Sequence, residues 1–319
     1  MCDRSGMSPQ ASVETIEITP RGPFSLEAAR SFAGGFAPGI GGGGPVAKGI
    51  VMAFPVEGWE GSAAAHVTQD ASGVVRVRIA TTGGADSSVA LGQVLRCLSL
   101  DHDGGGWTDV GLRDPVIGRL QERHDFLRPV CFYSAYEAVT SFVIGQRIAR
   151  RQGARIKAGL ADRMGDRIEL DGTTYVAFPG PRRLAELAAS AELGEVKASR
   201  LRGLADAALQ GRLNTERLRA LPRDDAIAEL LTLNGVGQFT AEGTYLRGCG
   251  IVDEIPRDAL DRDAIAEMYG LPSVDDTKLA AITDGWRPYR MWATVLLRVG
   301  WERARPGRSY RQPPAPRPG

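Results

Sequence analysis

Residues 230–248 read LLTLNGVGQFTAEGTYLRG, and residues 250–270 read GIVDEIPRDALDRDAIAEMYG. The first stretch is an apolar helix end, a tight Gly235-Val236-Gly237 turn and the start of a second helix. Two glycines flanking a small apolar residue permit a backbone turn too tight for side chains. The amides of that turn and of the next helix's first turn then lack partners, and with the helix dipole they offer a site for one backbone phosphate. Gly235, Val236, Gly237 and Thr240 are the candidate contacts, and such a grip positions a protein without reading sequence. A plain helix-turn-helix packing element with a glycine cap has the same local sequence, so the hairpin alone leaves both readings open. In the second stretch Pro256 sets a turn, Asp258 stands at the start of a helix and Asp261 follows at a capping-box-like spacing. A carboxylate there stays ionised, because helix amides and dipole both favour the anion. A helix cap with no chemistry would look the same.

Working outward, a chain of 319 residues suggests about two domains. No apolar run approaches the ~20 residues of a membrane helix, and the N-terminal MCDRSGMSPQASVET has no export signature. A cytoplasmic monomer with no membrane partner is expected. Cys2, Cys97, Cys131 and Cys249 stand far apart, and His66, His102 and His124 are scattered, which argues against a disulfide framework or a zinc site. With a net charge of +1, any basic surface must be local. Arg147, Arg150, Arg151 and Arg155 form one cluster and Arg303, Arg305, Arg308 and Arg311 another; solvated helix faces and tails carry such clusters too.

The fold class expected is α+β: a small antiparallel sheet domain with helices, followed by a two-lobed, all-α domain. Residues 1–14 and 304–319 read as disordered tails, the latter basic, with the sheet domain at 15–111 and the helical domain at 112–303. Val75, Val77 and Ile79 alternate with Arg76 and Arg78, as in a half-buried strand. GIVMAF and AAAHVTQD can pair with it, while SLEAARSFAGGF and SSVALGQVLRCLSL read as covering amphipathic helices. IGGGGP at 40–45 lacks the Lys-Ser/Thr ending of a phosphate-binding loop and reads as a flexible connection. Beyond Arg113 helical periods dominate, including one long run, SAYEAVTSFVIGQRIARRQGARIKAGLADRMG.

Hairpin, Pro-x-Asp and spacing together resemble the helix-hairpin-helix DNA glycosylase superfamily, and within it the 3-methyladenine DNA glycosylase II, or AlkA-like, group. FVIGQRIARRQGARI is similar to that group's I-x-GQ-x-[VI]-S helix, LNGVGQFTAEGTYLRG to its LPGIG-x-[WF]-TA-x-x-x-x-LRG, and WRPYRMWA to its WRPWRSYA. The similarity runs from about Phe24 to Glu302. Asn234 replaces the usual hairpin proline, Ala149 the usual serine, and Gly243 a position that is often aromatic.

The resemblance implies a monofunctional DNA N-glycosylase that excises alkylated, 3-methyladenine-type purines from double-stranded DNA by base flipping, the first step of base excision repair. It implies Asp258 as the catalytic carboxylate, Phe239, Tyr289, Trp286 and Gln146 as base-pocket residues, and Arg147 as the wedge that fills the gap left by the everted base. Phe239 stands where strand-cleaving relatives carry a lysine. No iron–sulfur cluster and no required cofactor are expected; a structural Na+ or K+ held by the carbonyls of Leu231, Leu233 and Val236 is implied. The alternatives are a glycosylase for deaminated or oxidised bases, or a non-catalytic lesion-binding protein.

Overall fold

The computed structural model describes residues 13–35, 49–256 and 259–304. The segments expected as tails, apart from Val13, Glu14 and Ala304, and the glycine run at 40–45 lie outside the described residues, as do Arg305, Arg308 and Arg311. The chain runs β1 (Val13–Ile18), α1 (Leu26–Gly35), β2 (Ile50–Pro55), β3 (Ser62–Gln69), β4 (Val75–Thr81), α2 (Ser87–Cys97), α3 (Trp107–Arg113) and α4 (Pro115–Arg123). It continues through α5 (Ala135–Gly145), α6 (Arg150–Met164), β5 (Arg167–Leu170), β6 (Thr173–Val176), α7 (Pro181–Leu184), α8 (Gly194–Leu209), α9 (Thr215–Ala220) and α10 (Arg223–Leu231). Then come α11 (Gln238–Gly243), prolonged by a π-helical turn at Thr244–Gly248, and α12 (Ala259–Met268), α13 (Asp276–Asp284) and α14 (Arg290–Arg303).

The first four strands form one antiparallel sheet in the order β1-β4-β3-β2. In β4, Val75, Val77 and Ile79 are buried while Arg76 and Arg78 are exposed, so the strand period alone sets which face turns inward. That inner face packs Met52, Phe54, Val67, Val77 and Ile79 against Leu26 and Ala29 of α1 and Ala90 and Val94 of α2. The opposite face presents Val51, Ala53, Ala64 and Ala80, and their small side chains let the β5–β6 hairpin lie close, with Ile168, Leu170 and Tyr175 against them. This hairpin departs from the all-α expectation for the second domain. Its turn residues Asp171 and Gly172 both have positive φ, 54° and 72°, the backbone that a two-residue Asp-Gly turn supplies.

The helical body holds two cores. One gathers Val139 of α5, Leu160 of α6, Leu201 and Leu204 of α8, Leu230 of α10 and Leu246. The other gathers Trp107 of α3, Ile117 of α4, Ile265 of α12, Trp286, and Trp292 and Leu296 of α14. Helix α14 is their shared wall, because Met291 and Val295 face the first core while Trp292 and Leu296 face the second. The loop that precedes α12 therefore runs where the two lobes meet.

Buried arginines lock the sheet to this body. Arg96 of α2, with a side chain only 5% exposed, meets Glu57 at 2.7 Å and Glu216 of α9 at 2.8 Å. Glu57 also accepts the Thr215 amide at 3.0 Å. Arg128 donates instead to main-chain carbonyls of Arg21, Pro23 and Ser99 and lies over the Trp292 ring, and burial without a carboxylate pushes its guanidinium down to about 10. Arg96→Ala would strand the buried Glu57 carboxylate. A loss of about 3–5 kcal/mol is expected in urea unfolding, with a transition that no longer reports sheet and helices together; a change under about 1 kcal/mol would show that the seam does not depend on this pair.

Candidate DNA-binding and catalytic site

The hairpin forms because α10 cannot continue through Asn234-Gly235. Gly235 takes φ +83°, and an added Cβ would come within 2.5 Å of the Arg200 Cδ, so position 235 needs glycine twice over. The turn closes with the Val236 amide donating to the Leu233 carbonyl at 3.1 Å, and Val236 is buried. Gly237 differs from the expectation that both glycines are needed for tightness. Its φ is −101°, and a Cβ there would meet nothing within 4 Å. What its missing side chain does is leave the N-terminus of α11 without a side-chain cap. Thr240, an expected phosphate contact, is buried at 4% exposure beneath that turn.

The long helix expected from Ser134 to Gly165 is broken. Helix α5 stops at Gly145, α6 starts at Arg150, and the four residues between make a loop in which Arg147 is exposed with φ +58°. A non-glycine residue held in the left-handed region costs on the order of 1 kcal/mol, which marks the loop as imposed by its surroundings. Gln146 is one cause. Expected in a base pocket, it instead donates from Nε2 to the Gly235 carbonyl at 2.8 Å and accepts at Oε1 from Arg200 at 3.1 Å. Lys197, whose ammonium burial pushes below its usual range, donates to the Ile144 carbonyl at 2.8 Å and so closes the end of α5. Helix α8 thus buttresses both the hairpin and the Arg147 loop.

The segment from Ile251 to Pro256, just before Arg257 and Asp258, has no regular structure, yet arginines hold it. Arg290 Nε donates to Asp253 Oδ1 at 2.8 Å and Nη2 to the Asp253 carbonyl, while Arg287 Nη1 donates to Asp253 Oδ2 at 2.7 Å. From the other lobe Arg223 Nη1 donates to Glu254 Oε2 at 2.8 Å and to the Ile255 carbonyl at 2.9 Å. Arg223 also reaches Glu242 of α11 at 3.4 Å, and Glu242 accepts from Gln238 at 3.0 Å. One guanidinium therefore ties the hairpin helix to the loop that leads into α12. Asp258, the expected catalytic carboxylate, and Arg257 lie outside the described residues.

The expected aromatic pocket is redistributed. Trp286 has no exposed surface, and its indole N–H donates to Asp114 Oδ2 at 2.8 Å, so the ring belongs to the second core. Tyr289 is 6% exposed, donates its hydroxyl to the Asp103 carbonyl at 2.7 Å and packs on Trp107 and Trp292, with burial raising its phenol. Both rings are thus committed to packing, a correction to their assignment as base contacts. Phe239 is different: it is 36% exposed just after the hairpin and stands edge to face with Phe142 of α5 at 5.7 Å. Sequence reasoning missed Arg223, Arg287, Arg290, Asp253 and Glu254, although two of these arginines sit inside the WRPYR motif it singled out. Among the described residues no cluster of His, Cys, Asp or Glu could hold a metal ion. A cation at the turn would have to use carbonyl oxygens, and that of Leu233 already accepts the Val236 amide.

A sheet domain leading into two helical lobes, with a glycine hairpin in one and a clamped loop at their junction, is the helix-hairpin-helix glycosylase fold. The 3-methyladenine DNA-glycosylase of Archaeoglobus fulgidus superposes with a TM-score of 0.72 at 17% identity, over 92% of this chain and 99% of that one. In sequence, the DNA-3-methyladenine glycosylase 2 of Escherichia coli is 30% identical over 196 residues, 59% of this chain and 66% of that protein. The DNA-3-methyladenine glycosylase of Bacillus subtilis is 25% identical over 206 residues, 62% and 67% of the respective chains. The chain thus spans about two thirds of the length of these relatives. No family model matches it. The chain belongs to the helix-hairpin-helix DNA glycosylases, and among them it is AlkA-like.

Two substitutions separate the packing role of the WRPYR rings from the clamping role of its arginines. Trp286→Phe removes the buried indole donor that Asp114 and the Tyr269 hydroxyl share and should cost about 1–2 kcal/mol of stability while leaving DNA binding unchanged. Arg290→Ala removes charge-assisted bonds to the loop and should weaken binding to duplex DNA with an abasic-site analogue by roughly tenfold at an intact melting transition. Equal effects of both variants on binding would show that the motif acts as one packing unit.

Proposed function

We propose that this chain is a monofunctional DNA N-glycosylase that excises alkylated, 3-methyladenine-type purines from duplex DNA at the nucleoid. The observation that carries the reading is the Arg223 bridge, which couples the uncapped hairpin helix to the loop before Asp258. A hairpin that holds one phosphate and a carboxylate presented from the next helix start form the minimal geometry for work on an everted nucleotide.

On this reading the first-turn amides of α11 grip a phosphate while Arg147, exposed on its loop, enters the stack as the base swings out. Extrusion costs a few kcal/mol and less for a damaged base, so damage itself contributes to selection. As the glycosidic bond lengthens, positive charge grows on the sugar, and an ionised Asp258 beside it lowers the barrier electrostatically and orients the attacking water. An alkylated purine leaves as a neutral base without acid help, so one carboxylate suffices. Phe239 offers no amine for a Schiff base with the opened sugar, hence base release without strand cleavage. A Na+ or K+ at the carbonyls of Leu231, Leu233 and Val236 would stiffen the turn and balance the phosphate it holds.

Incubation of dimethyl-sulfate-treated duplex DNA with the protein should release methylated purines, identified by mass spectrometry. Asp258→Asn should lower the rate by at least about a hundredfold without loss of DNA affinity. Strand nicks before alkali treatment would refute the monofunctional assignment, and an unaltered rate in the variant would refute the role of Asp258.

A further inference from the structure

The geometry points to Phe142 as a specificity-determining wall of the base pocket, supplying from α5 the aromatic surface that position 243 of the hairpin helix lacks. This deepens the function proposed above and rests on it for the identity of the ligand, an everted alkylated purine. Gly243 lies one helical turn beyond Phe239, on the same face of α11. An added Cβ at Gly243 would come 2.5 Å from Phe142 Cζ, 2.9 Å from Cε2 and 3.3 Å from Cε1. Those three atoms are the tip of the ring, so Phe142 rests directly on the Cα of Gly243. The glycine therefore does not leave a wider cavity; it admits a ring from the facing helix.

Phe142 is held upright rather than collapsed. Phe132 lies 5.4 Å from it on one side, tilted by 52°, and Phe239 lies 5.7 Å away with the planes 84° apart. Phe142 is half-buried and Phe239 is exposed, and the two rings meet at right angles in a corner close to the hairpin turn. A planar purine entering such a corner stacks on one ring and meets the other with its edge. A positively charged base gains at the π-face it covers, which a neutral base does not. Phe142 stands two residues before Ile144, whose carbonyl accepts from Lys197 at the end of α5, and Gln146, four residues on, fixes that helix end to the hairpin, so the wall moves with the hairpin turn.

Four variants and two DNA probes test this. Phe142→Ala removes the ring, Phe142→Leu keeps apolar volume without the π-face, and the double variant Phe142→Ala/Gly243→Phe returns a ring from the hairpin side. The first probe is a duplex bearing 7-methylguanine on a 2′-fluorinated sugar, whose glycosidic bond resists cleavage; the second is the same duplex with an abasic-site analogue. The wild type should prefer the methylated duplex. Phe142→Ala and Phe142→Leu should each lose that preference by about tenfold while binding the abasic duplex within about twofold of wild type. The double variant should recover most of it, whereas Gly243→Phe alone, with Phe142 in place, should not fold normally. A wild type without preference, a Leu variant that retains it, or abasic-site affinity that falls in step would each overturn the inference. Because binding alone is read, catalytic failure on methylated DNA would refute the proposed activity without touching this result.

Discussion

A guanidinium shared between two lobes is the constraint on which the site depends. Arg223 begins α10, yet its side chain, 11% exposed, meets Glu242 of the hairpin helix and Glu254 of the loop before α12. A planar fork with several donors can serve two carboxylates and a carbonyl at once, which a lysine ammonium does less well. Glu242 is itself only 7% exposed, so withdrawal of the arginine would leave a charge in a poorly hydrated place. The irregular loop at 251–256 thereby acquires the fixity of a helix without helical hydrogen bonds. Arg290 and Arg287 reach Asp253 in that same loop from the other lobe, so both lobes have a hand on the residues leading to Asp258.

A second consequence concerns where rigidity comes from. The hairpin and the Arg147 loop are separate in sequence, but Gln146 bonds to Gly235 and Arg200 packs under the same glycine. The hairpin turn and the Arg147 loop are then one body, braced by α8. The strain at Arg147, with φ +58°, is tolerated because the Gln146 amide and the Lys197 bond to Ile144 over-determine the turn around it. Positioning of this kind is what flipping chemistry requires, since an ångström of slack at the sugar forfeits much of an electrostatic effect.

Legibility in the sequence followed the range of the interaction. The sheet was readable because burial alternates with residue number in β4, and the hairpin because Gly-Val-Gly is a local necessity. The β5–β6 hairpin carried an equally local signal, Asp171-Gly172 between Ile168-x-Leu170 and Tyr175, yet its short strands were submerged in surrounding helical periods. The break between α5 and α6 left no trace, because Arg, Gln, Ile and Ala at 146–152 are good helix residues and the loop is imposed by Gly235 and Arg200 from elsewhere. In WRPYR the motif was visible but its polarity was not. Nothing in the string says that Trp286 and Tyr289 turn inward to Asp114 and Asp103 while the arginines take the loop. Phe142 was invisible for the same reason, since its meaning lies in a glycine a hundred residues away that it overlies.

A net charge of +1 is hard to square with a polyanionic partner until the arginines are sorted by their company. Arg96, Arg128, Arg223 and Arg290 are turned inward, bound to carboxylates or main-chain carbonyls, and contribute nothing to the outer field. Arg147 in the loop that Gln146 pins to the hairpin, and Arg151 and Arg155 at the start of α6, are exposed. A local run of exposed arginines thus lies beside the hairpin. Amides grip a phosphate through partial charges that neither titrate nor need a mobile side chain to be ordered, so affinity there does not require a high overall charge. A protein that must travel over undamaged DNA and pause only at a lesion is better served by such a grip. Strong general attraction would hold it on every phosphate alike, whereas a few local amide contacts add little to that general attraction.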